Sequence, residues 1–252
     1  MWKTLLLILK SLMLIIGLFL IALLSGCTHQ TGNEAELLVK RSIDAHGGQK
    51  QYEELKAVSF KKTTRLFLED GSLESEVIQK QSFQLKPDYR VQIEWMVQKA
   101  KHVIFYDGKN AVKTINGEVV KDSLELVKAQ NAAKAAAYVF FQPFELINEN
   151  TLLTLESDTE LNDSTTAQTV SVAYEGDDES SDKWRYYFNE DDLLVANSVV
   201  LTDHNSLIEN LEFQNIGGLT FNKYRKSYRV DKALNKKYLR AEYFYEDISI
   251  TN

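Results

Sequence analysis

The 252-residue sequence carries 29 Lys and Arg against 36 Asp and Glu, a formal net charge of −7. That acid excess excludes nucleic acid as a natural partner, because such binding needs clustered positive charge. One cysteine allows no internal disulfide, so the fold must stand on packing, and 12 Tyr, 12 Phe and only 2 Pro suit strands better than loops or disorder.

The N-terminus is a separate unit. Lys3 and Lys10 are the only charges in the first 26 residues, and Leu12 to Leu24 are apolar except Gly17. A positive n-region before an apolar stretch of this length reads as an export signal, short for a membrane span. A retained anchor helix, counted from Leu5 with Lys10 snorkelling, is the alternative. Leu24-Ser25-Gly26-Cys27 resembles the lipobox of bacterial lipoproteins, in which the cysteine is acylated and the chain is cut before it. The expectation is therefore a removed signal over 1–26, lipid on Cys27, a short polar tether over 27–33 and one domain over 34–252. The processed chain keeps 226 residues with a net charge of −9, enough for a substantial core. Its acidity leaves the lipid, not electrostatics, as the membrane contact.

Downstream of the tether, "EAELLVKRSIDAHGG" has helical apolar spacing and a Gly47-Gly48 stop, and "QKQYEEL" adds a turn or two. From Val58 the period becomes two. Phe60–Leu68 and Leu73–Leu85 flank an Asp70-Gly71 turn. In "YRVQIEWMV", Tyr89, Val91, Ile93, Trp95 and Val97 share one face, while Arg90, Gln92 and Glu94 share the other. Two short strands follow, with turns at Asp107-Gly108 and Asn116-Gly117. A helix of about 16 to 18 residues, capped by Asp122 or Ser123, then runs to Gln142-Pro143. Strands resume at 151–156, 168–175, 183–189, 193–203, 207–215, 219–229 and 238–249. The expected fold class is mainly β (α+β), a strongly curved antiparallel sheet or incomplete barrel of about 10–12 strands, with one leading and one inserted helix.

Catalytic signatures are missing. His29, His46, His102 and His204 form no metal-binding spacing, and there is no nucleophile elbow, Walker loop or dinucleotide fingerprint. His46 in "AHGG" reads as a helix-terminal residue. The acidic tip "EGDDESSD" offers Glu175, Asp177, Asp178, Glu179 and Asp182 as oxygen ligands but lacks EF-hand spacing and reads as a solvated turn. No catalytic residue, metal or cofactor is assigned. "AAYVFFQPFELI" is apolar on every side: either the helix ends in the core, or Phe140 and Phe141 line or lid an apolar cavity whose opposite wall is the Trp95 face.

A lipobox, a helix ending in Gly-Gly, "YDGK" (106–109), "FFQPFEL" (140–146), "WRYYFN" (184–189) and "YFYEDISITN" (243–252) together resemble the LolA/LolB-like superfamily of periplasmic lipoprotein carriers and outer-membrane receptors, in particular envelope lipoproteins with an "AHGG" motif. The resemblance spans about residues 34–252. It implies a half-barrel around a cavity for acyl chains, no catalysis and no metal. Thr28, in place of the aspartate that retains lipoproteins in the inner membrane, points to the outer membrane.

The leading expectation is thus a lipid-anchored envelope protein binding lipid or an acylated chain, with Tyr89, Val91, Ile93, Trp95, Phe140 and Phe141 as cavity wall and lid. Two rival classes stand beside it. One is an interaction lipoprotein with a filled core, working through other envelope proteins. The other is an envelope hydrolase using His46, His102 or His204 with a carboxylate.

Overall fold

The computed structural model describes residues 30–162, 165–178 and 181–252, so the signal segment and Cys27 lie outside the described residues. Helix α1 spans Gln30–Ala45 and α2 Gln49–Glu54. A third helix, α3, runs from Ser123 to Phe140 and is followed by a 3-10 turn at Phe144–Leu146. The strands are β1 Ala57–Phe67, β2 Leu73–Gln84, β3 Arg90–Val97, β4 Ala100–Tyr106, β5 Ala111–Ile115, β6 Glu118–Val119, β7 Thr151–Asn162, β8 Thr165–Tyr174, β9 Lys183–Phe188, β10 Leu194–Val200, β11 Asn205–Ile216, β12 Leu219–Val230 and β13 Lys236–Thr251. The expected mainly-β class holds, with thirteen strands in one curved antiparallel sheet.

Helix α1 begins at Gln30, inside the stretch read as tether. Polarity marks exposure and does not by itself forbid helical backbone. The helix stops as its sequence foretells: Gly47 N–H donates to the Asp44 carbonyl at 3.0 Å and Gly48 N–H to the Ile43 carbonyl at 2.9 Å.

Sheet order is β6-β5-β4-β3-β2-β1-β13-β12-β11-β10-β9-β8-β7. The chain meanders outward from β1 to one edge and returns from the other edge to β13, which pairs with β1 at the centre. Only the link between edges, β6 to β7, must cross the sheet, and it does so through α3. Asp122 caps this helix by accepting from the Glu125 N–H at 2.9 Å.

The two faces follow from strand register. On the inner face one row is Val58, Phe83, Val91, Tyr106 and Ala111, and the next is Phe60, Gln81, Ile93, Ile104 and Lys113. A third row holds Lys62, Gln79, Trp95 and His102. The main core lies here, under the helices. A smaller cluster of Ala167, Tyr187, Ala196, Leu207 and Val230 packs on the opposite face of the later strands.

Candidate functional site: a cavity under helix α3

Helix α3 presents two different surfaces to the sheet. Its C-terminal end is bulky. Phe140 stacks on Phe60 with centroids 4.0 Å apart and on Phe221 at 5.0 Å, and Phe83 lies parallel at 6.0 Å. Nearby, the Tyr138 hydroxyl bonds those of Tyr186 and Tyr174, each at 2.9 Å, tying the helix to β8 and β9. These contacts fix the helix across the sheet.

Toward its N-terminus the same helix carries alanine, and alanine leaves room. A cavity of about 440 Å³ lies between Ala129, Ala132, Ala135, Ala136 and Val139 and the inner face of β1–β5, where Ile93, Trp95 and Ile104 form the apolar wall. That volume falls in the usual range for small-ligand sites, about 300–1,000 Å³. Polar groups stand among its lining residues: Gln79, Gln81, Lys62, Lys113, Lys128 and Glu125. Glu125 accepts from Lys113 at 2.6 Å and from Lys128 at 2.9 Å. Hydrogen bonds to these two lysines hold its carboxyl at about 2.

The predicted cavity residues divide. Ile93 and Trp95 do line the cavity. Val91 is fully buried one row away, under core side chains. Phe140 and Phe141 are 3% and 1% exposed and are core residues, not a lid. The stacked rings take up the space that a lid would have to guard. Tyr89 packs edge-on against Tyr106 at 6.3 Å and is not in the cavity lining. The alanine face went unread in the sequence because "NAAKAAAY" signals helix propensity equally well; the spacing of Ala129, Ala132 and Ala136 was the available signal.

The histidines stand on separate elements. His46, at the end of α1, is 2% exposed, its Nδ1 2.8 Å from the Ser42 carbonyl. Burial lowers its pKa, against a smaller opposing effect of that hydrogen bond, so it is neutral. His102 on β4 stacks on Trp95 at 5.1 Å. His204, just before β11, has Nδ1 2.7 Å from Asp203 Oδ1. At the acidic tip Asp177 accepts from the Tyr174 N–H at 2.8 Å, and Glu179 lies outside the described residues. Among the described residues no three His, Cys, Asp or Glu side chains are grouped to hold a metal. None of the helices there is long and apolar enough to cross a membrane.

The outer face carries a second, larger depression of about 760 Å³, lined by Ser59, Lys61, Ile78, Lys80, Glu94 and Met96 among others. Its charges are mostly paired, Lys61 with Glu246 at 3.1 Å and Lys101 with Glu94 at 2.9 Å. It lies on strand residues alone, whereas α3 supplies one wall of the smaller, similarly open cavity.

No protein-family model and no curated protein sequence matches the chain. Solved structures do resemble it. A LolA superfamily protein from Nitrosomonas europaea superposes with a TM-score of 0.55 at 8% identity, covering 86% of this chain and 94% of that one. A DUF1329 family protein from Desulfovibrio piger gives 0.54 at 8% identity, over 86% and 92%. A putative outer membrane lipoprotein-sorting protein domain from Vibrio parahaemolyticus gives 0.50 at 7% identity, over 85% and 94%. At such identities the likeness is one of architecture: the chain has a LolA-like fold, a half-barrel crossed on its inner side by a helix.

Proposed function

We propose that the protein is a lipid-anchored envelope lipoprotein that takes up an aliphatic chain, from a lipid or an acylated protein, beneath α3. The cavity between the alanine face of α3 and the Ile93–Trp95–Ile104 wall carries this reading. Burial of each methylene contributes about 0.8 kcal/mol, so an apolar slot of this size holds a chain without a covalent bond. Fold neighbours that include a lipoprotein-sorting domain support the same class of cargo.

Cys27 is the proposed anchor. Because α1 begins at Gln30, three residues separate it from the lipid, a reach of roughly 10 Å. The half-barrel would then sit close to the bilayer. Cys27→Ser should abolish incorporation of labelled palmitate and block processing of the precursor. Normal labelling of that variant would remove the anchor.

The cavity is tested on the full chain held in amphipol and photolabelled with a neutral monoacylglycerol bearing a diazirine in its chain. Labelled peptides should map to residues 129–139 and to Trp95. Ala136→Phe, which fills the slot, should cut labelling at least about tenfold, given the methylenes it displaces, while leaving the circular dichroism spectrum unchanged. Labels scattered over the surface, or insensitive to Ala136→Phe, would overturn the reading. The outer groove, with Ile78 and Met96 more than half exposed, favours a second reading as a docking scaffold for envelope proteins, and survival of all cellular functions in Ala136→Phe would support it.

A further inference from the structure

Positive charge gathers on the inner face of this acidic protein. Lys62, on β1, lines the cavity with its ammonium 5.2 Å and 5.7 Å from the Tyr243 and Tyr245 ring centroids. The nearby acids Glu246 and Asp247 are engaged by Lys61 on the other face. Among the described residues Lys62 has no carboxylate partner. Across β13, Arg225 is 3% exposed and donates to neutral groups, Asn210 Oδ1 at 2.7 Å, Asn197 Oδ1 at 2.8 Å and the Tyr245 hydroxyl. Arg229, four residues further along β12, donates to Ser206 Oγ at 2.6 Å. In the cavity lining itself, Lys62, Lys113 and Lys128 face the single carboxylate of Glu125.

Uncompensated charge in a partly dehydrated setting is costly unless something opposes it. Tyr245 reports the field. Its burial pushes the phenol up, yet Lys62 and Arg225 outweigh that and draw it below its ordinary value. An apolar slot with an excess of ammonium groups along one side suits one shape of ligand, a chain ending in an anion.

We propose that the cavity selects anionic amphiphiles, a single aliphatic chain with a carboxylate or phosphate head, and that Lys62 receives the head. This rests on the cavity reading above and adds the ligand's charge to it. Lys62 is the group with a free charge. Lys113 and Lys128 are paired with Glu125, which also repels an incoming anion, so removing that carboxylate should help binding.

Competition against the same photolabel on the full chain decides it, with myristate, myristyl phosphate and neutral monomyristin as competitors. Myristate or myristyl phosphate should compete at least about tenfold better than monomyristin, the worth of one charge-assisted hydrogen bond. Displacement by one anion only identifies the head as carboxylate or phosphate. Lys62→Met should erase that preference, and Glu125→Gln should strengthen it about threefold. Equal competition by all three, or a preference untouched in Lys62→Met and Glu125→Gln alike, would refute the charge selection while leaving the cavity intact. Failure of every competitor would instead refute the cavity reading itself.

Discussion

Phe140→Ala should lower stability by about 4 kcal/mol, in the range for deleting a buried aromatic side chain. In a domain of this size that corresponds to a fall of roughly 10 °C in Tm. Three observations put it near the upper end. Phe140 is 3% exposed, it is in ring contact with Phe60, Phe83, Phe141, Phe221 and Tyr245, and all of these but the adjacent Phe141 come from strands, β1, β2, β12 and β13. The void left could not be closed by moving one neighbour, because those four are each held by a different strand. Phe140 also pins the end of α3, which roofs the cavity. Thermal melts followed by near-ultraviolet circular dichroism check the loss, and a decrease under about 1 kcal/mol would mean that the stack is not what seats the helix. Leucine at the same position keeps much of the volume and should recover about half the loss.

That residue also shows where sequence reading stops. "AAYVFFQPFELI" is apolar on every side, which establishes burial but not what the rings are buried against. Choosing between a cavity lid and a core plug requires the positions of Phe60 and Phe221, 80 and 81 residues away along the chain. The alternation in "YRVQIEWMV" was legible because it is local: Val91, Ile93 and Trp95 all face inward. The β3–β4 turn was not, since Gln98 and Lys99 hold φ of 47° and 72° without a glycine to announce it. Least legible was the pairing of β1 with β13, which brings the two ends of the domain together and depends on no short-range signal. The cavity belongs to this class too, because a row of alanines becomes a space only once a sheet stands opposite. Lys62 reads in sequence as one more charge in "KKTT", and only the register separates its inward side chain from the ion-paired Lys61.

Gly47→Ala should destabilise the protein by about 3 kcal/mol or more, although residue 47 touches no part of the cavity. Two costs combine there. The backbone has φ of +113°, where an L side chain is strained by about 1–3 kcal/mol. An added Cβ would also stand 2.3 Å from the Gly218 carbonyl oxygen, a backbone atom that cannot turn aside. This is the joint between helix and sheet: the Thr220 N–H donates to the His46 carbonyl at 2.9 Å, bringing the end of α1 against the β11–β12 turn. "AHGG" is thus a structural device, and its histidine is buried beside Phe213 with ring centroids 6.0 Å apart. Gly71→Ala separates the two costs, because φ there is +82° but nothing lies within 4 Å of the new Cβ. It should lose only the backbone part, about 1 kcal/mol. Urea denaturation of both variants gives the comparison. Equal losses would mean that α1 can shift away from the turn at no cost, and would leave the joint no role in placing the helix that leads toward Cys27.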